Sequence, residues 1–129
     1  MPSRVLRFRV GERRWALPMD VVREVLELPA LLPVPGCRPG VAGVMLRHGM
    51  IVPVYDLQPG GPPPAHVVVL DWADLRNAIR VADPDAKPLL AEESAGEAGP
   101  PCRGVLKFQD GSAERVDLPA LYRMLQIPI

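Results

Sequence analysis

Proline limits what this chain can fold into more than any other residue. Seventeen of its 129 residues are proline and eleven are glycine, and they gather in clusters between short apolar runs. Proline lacks an N–H donor and fixes φ, so a cluster of prolines ends a helix or a central strand. The segments left between clusters suit short strands and single helical turns, which predicts an all-β chain with short helices. Aromatic residues are only 5% of a chain that is 48% apolar, so the core must be aliphatic. A chain of this length buries a core without staples, and Cys37 and Cys102 are too few and too far apart for a disulfide or metal framework.

Arg4 to Val10 alternates, with Leu6, Phe8 and Val10 on one face and Arg7 and Arg9 on the other. Gly11-Glu12 turns the chain, and Arg13, Trp15 and Leu17 continue the period of two, so residues 4–17 read as a hairpin. Pro18 suits the start of a helical turn over Met19 to Val22, followed by a strand to Leu28. Pro29 to Pro39 is an extended connection. Gly43 to Leu57 is a second hairpin, with Arg47-His48-Gly49 at its apex and Gly49 free to take positive φ. Its second arm, Met50 to Tyr55, is apolar throughout, as in a strand covered on both faces.

Residues 58–65 read as a Pro/Gly-rich linker between two halves, 1–57 and 66–129, of a single domain spanning 1–129. Beyond it, His66 to Trp72 reads as a strand, Ala78 to Ala82 as a weaker one and Ala91 to Pro101 as a loop. Gly104 to Phe108 and Ala113 to Asp117 form a hairpin around Asp110-Gly111. Asp117 caps a closing helix with Leu118, Leu121, Tyr122 and Leu125 on one face. Leu17-Pro18 and Leu118-Pro119 each follow an alternating strand and precede a short helix. That echo suggests two similar barrels.

Fifteen basic and fifteen acidic residues cancel, so there is no electrostatic reason to expect nucleic acid as a partner. The N-terminus has no apolar leader, and no run of about eighteen apolar residues occurs, so the expectation is a cytoplasmic protein without direct membrane insertion. Ser3, Ser94 and Ser112 lie in terminal or turn context, and neither His48 nor His66 has an evident catalytic partner. Glu92-Glu93 reads as a solvated loop, and Gly60-Gly61 is too hemmed by proline to cradle a phosphate. No enzyme, cofactor or metal site is expected. Glu24 has a plain structural reading as the surface partner of Arg23 or Arg47.

Several motifs occur in order: Phe8-x-Val10-Gly11, Trp15-Ala16-Leu17, Val22-x-Glu24-Val25, the Pro33 to Pro39 segment, and Gly43-Val44 through Gly49-x-Ile51-Val52-Pro53-Val54-x-Asp56-Leu57. Together they resemble the CheW-like family, adaptor domains of bacterial chemosensory arrays. The match continues more loosely through Val67 to Leu70, Ile79 to Asp83 and Gly104 to Leu121.

The resemblance implies two five-stranded SH3-like β-barrel subdomains packed together, with no cofactor and no catalysis. It implies a scaffold coupling the cytoplasmic tip of a methyl-accepting chemoreceptor to the regulatory domain of a CheA-type histidine kinase. By resemblance, the partner-binding residues are Val22, Glu24, Gly43, Arg47 and His48. The family's usual turn reads asparagine-leucine-arginine-glycine. Here it is Leu46-Arg47-His48-Gly49, with His48 at the arginine position and Arg47 expected on the opposite face of its strand. Proline replaces the usual helix after Asp56-Leu57, and the second half is short. A single-partner adaptor fits these departures. A peptide- or ligand-binding β-barrel outside chemosensing is the alternative.

Overall fold

The computed structural model describes residues 3–27, 29–36, 38–57 and 62–128. Its strands are β1 (Ser3–Val10), β2 (Arg13–Pro18), β3 (Val22–Glu27), β4 (Val41–Arg47), β5 (Met50–Asp56), β6 (His66–Trp72), β7 (Leu75–Val81), β8 (Leu89–Ser94), β9 (Cys102–Phe108) and β10 (Gly111–Val116). A 3-10 turn over Met19–Val21 follows β2, and helix α1 (Leu118–Met124) follows β10. As the alternation predicts, β1 and β2 form one antiparallel hairpin and β4 and β5 another.

Two five-stranded units result. The first is a closed barrel in the order β1-β2-β10-β9-β8, and the second is a sheet in the order β3-β6-β7-β5-β4. Read from β8 to β1 and from β3 to β4, the pairings follow one sequence: antiparallel, antiparallel, parallel, antiparallel. The difference lies at the seam. In the first unit Ser3 to Val5 pair with Ala91 to Leu89 and close the ring. In the second, β3 and β4 are the two ends of the sheet.

This topology corrects the expected division at residues 58–65. Strands β5 and β6, on either side of that segment, belong to the same sheet, whereas β1 and β2 join strands from the end of the chain. Residues 58–61 lie outside the described residues. The echo of Leu17-Pro18 and Leu118-Pro119 has a different meaning too, because β2 and β10 are parallel neighbours in one barrel.

Three apolar clusters hold these layers. Val5, Ala16, Ala91, Leu106, Phe108 and Ala113 fill the barrel. Met45, Val52, Val54, Val67, Val69 and Ala78 form a cluster within the second sheet. Between the two units lie Phe8, Leu17, Val68, Ile79, Leu121 and Tyr122, among others. Each fully buried aliphatic side chain contributes about 1.5–3 kcal/mol, so many small contributions replace a few aromatic ones. Asp117 stands at the start of α1, but its side chain makes no capping bond. Its carbonyl accepts the Leu121 N–H at 2.8 Å, and Leu118, Leu121, Tyr122 and Leu125 are buried as the spacing predicts.

Several local readings change. Strand β7 begins at Leu75, and residues 89–94, partly assigned to a loop, form β8. Arg7, expected on a solvent face, is only 7% exposed. Strand β1 is covered on both faces, with Val5 in the barrel cluster and Leu6, Phe8 and Val10 between the units. Asp56 accepts the Arg80 guanidinium across the β5–β7 pair, with Nη2 at 2.7 Å.

Candidate partner-binding site

The β4–β5 hairpin sets the geometry. Arg47 pairs with Met50, leaving His48 and Gly49 as a two-residue turn with φ of 50° and 77°. Positive φ at both positions is the type I′ pattern, whose twist matches that of the strands. Histidine tolerates this left-handed region better than most side chains, and glycine does so freely.

This turn brings together residues that simple strand alternation would separate. Arg47 Nη2 donates to Glu24 Oε1 at 2.6 Å, and Arg47 Nε donates to Oε2 at 3.4 Å. His48 Nε2 lies 3.3 Å from the same Oε1. The expectation that Arg47 and His48 face opposite ways is therefore corrected. Strand alternation stops at the turn, and both side chains reach one carboxylate on β3. The hydrogen bond from Arg47, with help from His48, holds the Glu24 carboxyl far below its usual 4.5, at about 2. Glu24 thus clasps the two ends of the second sheet at the seam that the first barrel closes with main-chain pairing.

The other two expected site residues have packing roles. Gly43 has φ of 149°, and a Cβ there would lie 2.6 Å from the Leu32 carbonyl oxygen. Leu32 and Val44 exchange both main-chain hydrogen bonds, at 2.8 and 2.9 Å, so the connecting segment adds itself to the edge of β4. Gly43 permits that approach. Val22 pairs with Leu70, lies beyond a register shift from Glu24, and packs partly buried against the cluster between the units.

Around the ionic cluster lies an apolar surface that sequence reading assigned to the interior. Leu46 and Ile51 face each other across the hairpin at 66% and 71% exposed, and Met50 is 46% exposed. Applying the turn register would have found them. Pairing Met45 with Val52 puts that pair inside, so the next pair, Leu46 and Ile51, must point out. Beside them Arg76 Nη1 contacts the Met50 sulfur at 3.0 Å, while Asp71 accepts from Arg76 Nε at 2.8 Å and from Arg23 Nη1 at 3.2 Å. Arg23 is thus committed to Asp71, and Glu24 to Arg47 and His48.

Among the described residues no group of three or more His, Cys, Asp or Glu could hold a metal ion. Cys102 is a free, buried thiol pushed up to about 12 by desolvation, while Cys37 lies outside the described residues. No helix among them is long and apolar enough to cross a membrane.

Residues 4–59 match the family model described as CheW-like domain. The fold is similar to the crystal structure of the scaffolding protein TtCheW from Thermoanaerobacter tengcongensis. The TM-score is 0.77 at 19% identity, covering 91% of this chain and 90% of that one. No curated protein sequence matches. Residues 4–59 are thus similar in sequence to the CheW-like domain, and the fold over nearly the whole length is similar to that of a CheW scaffolding protein.

Proposed function

We propose that this chain is a non-catalytic adaptor of a bacterial chemosensory system, working in the cytoplasm. It docks the cytoplasmic tip of a methyl-accepting chemoreceptor on the β4–β5 hairpin and couples it to the regulatory domain of a CheA-type kinase. The CheW-like sequence pattern and the likeness to a CheW scaffold support the adaptor class. The observation that carries the docking site is the exposed Leu46 and Ile51 pair on a rigid type I′ hairpin beside the Glu24, Arg47 and His48 cluster. An apolar anchor with a polar rim is the usual anatomy of a protein contact, and an amphipathic helix can lie on it.

A cavity of about 850 Å³ at the mouth of the first barrel favours the other reading, a peptide- or ligand-binding module. Its rim carries Arg103 and Arg115 together with Glu92, Glu93 and Asp117, so it offers a charged ligand no field of one sign. The hairpin site is therefore preferred.

Calorimetric titration with the receptor tip and, separately, with the kinase regulatory domain tests the proposal. Ile51→Ser should weaken receptor binding about tenfold, as expected for losing a contact worth about 1.4 kcal/mol. Because Ile51 is solvent-exposed, the melting temperature should barely move. Full-strength receptor binding by Ile51→Ser and Leu46→Ser would remove the hairpin as the docking site.

A further inference from the structure

We propose that the cavity at the mouth of the first barrel binds a small zwitterion with an apolar body, of the class of free aliphatic amino acids. This site is separate from the docking hairpin and involves none of its residues. It begins with what fills the barrel. Of the six residues in the barrel cluster three are alanine, Ala16, Ala91 and Ala113, whereas the cluster within the second sheet has one, Ala78. Protein interiors are close-packed, so side chains this short leave room that larger ones would occupy. That room opens to solvent. The cavity of about 850 Å³ is lined by the buried Val5, Ala16 and Leu106, and so reaches the barrel interior. Trp72, at the end of β6 in the second sheet, adds an aromatic wall, and its ring meets Tyr122 edge to face with 5.0 Å between centres. A cavity of this size suits a small ligand.

The rim supplies the charges. Arg115 is already engaged: its Nη1 donates to Glu93 Oε1 at 2.8 Å and its Nε to the Arg103 carbonyl at 3.2 Å. The side chains of Arg103, Glu92 and Asp117 also line the cavity and have no partner among the described residues. Glu92 is exposed, but Asp117 is partly buried, and it neither caps α1 nor pairs with a cation. A carboxylate drawn out of water without a partner is costly, and an incoming cation relieves that cost. A ligand of one sign would match either Arg103 or Asp117 and leave the other group unmatched. A zwitterion satisfies both. Its carboxylate accepts from the planar donors of Arg103, and its ammonium donates to Asp117. The apolar body then lies on Val5, Leu106 and Trp72.

Calorimetric titration of the full chain with L-leucine tests this, alongside probes that each remove one part of the ligand. The amine 3-methylbutylamine lacks the carboxylate, 4-methylpentanoate lacks the ammonium, and glycine lacks the apolar body. L-Leucine should bind with a Kd of about 1 mM or below, and each probe at least about tenfold more weakly. Arg103→Gln should weaken leucine to the level of 3-methylbutylamine on wild type, while its own binding of 3-methylbutylamine stays unchanged. Asp117→Asn should in the same way bring leucine down to 4-methylpentanoate. Arg103 is exposed, so Arg103→Gln keeps the test decisive even where Asp117→Asn unsettles α1. On leucine binding the Trp72 indole N–H resonance should shift, and the amides of Leu46 and Ile51 should not. No leucine binding at about 10 mM, a probe that binds as tightly as leucine, or full-strength leucine binding by Arg103→Gln would overturn the site. None of these results touches the hairpin docking reading, which stands or falls on receptor-tip binding.

Discussion

A methyl group placed on Gly43 would stand 2.6 Å from the Leu32 carbonyl oxygen, in a backbone conformation with φ of 149° that side chains rarely adopt. Neither problem is cheaply relieved, because the opposing atom is main chain held by a two-way bridge to Val44. Gly43→Ala should therefore destabilise the protein by about 1–3 kcal/mol, the cost of forcing a residue into a sparsely populated conformation. Denaturant unfolding measures this directly, and wild-type stability would show that the Leu32 segment moves aside at no cost. The expectation from resemblance treated Gly43 as a docking residue. The structure supplies a packing reason for a glycine there, and binding per folded molecule should survive its replacement. Glu24 is the opposite case. Its pairing with Arg47 was legible as one of two choices, but its contact with His48 was not, because strand alternation does not extend into a turn.

Elements were legible where a residue type announces them. The Gly11 and Gly49 turns and the Asp110-Gly111 hairpin were placed correctly, since glycine marks positive φ. The turn between β6 and β7 was missed because Ala73 and Asp74 adopt φ of 54° and 59° without a glycine. Strand β8 was partly missed because Ala91 is its only fully buried residue, so no alternation shows. In β1 the alternation itself misled. Arg7 shares its face with Val5, inside the barrel, and its guanidinium spans Asp110 at 2.8 Å and Asp85 at 3.1 Å while lying 4.9 Å from the centre of the Phe108 ring. It ties the β9–β10 turn and the segment before β8 to the first strand. Arg7→Ala should lower stability by about 2 kcal/mol through lost packing as well as lost pairing. Arg9→Ala, at a solvent-exposed pair with Asp83, serves as the control in the same thermal melts. Equal effects at the two sites would show that the Arg7 network contributes nothing beyond an ordinary surface pair.

At the scale of the whole molecule, composition and resemblance were enough to indicate two five-stranded units, but not which strands build each one. A sequence echo identifies similar strands without saying which of them pair, and here the chain enters the first unit twice, with the whole of the second, β3 to β7, in between. The consequence is physical. A cut in the 58–61 segment leaves β1 to β5 on one fragment and β6 to β10 with α1 on the other, and neither fragment holds a complete sheet. Four strand pairings cross the cut: β1 with β8, β2 with β10, β3 with β6 and β5 with β7. Within residues 1–57 alone, the β4–β5 hairpin has lost the β7 strand that ties it to the sheet, and β3 has lost β6, so the Glu24 clasp has nothing to hold in place. Isolated two-stranded hairpins are marginal in water. Fragments 1–57 and 62–129 should each lack a cooperative thermal transition, and mixing them should restore one together with receptor-tip binding. Independent cooperative unfolding of either fragment would contradict this topology, because neither fragment holds all the strands of either unit. Reconstitution would instead show that the β4–β5 hairpin, the proposed docking element, although assembled from local sequence, is held in place by strands from the far half of the chain.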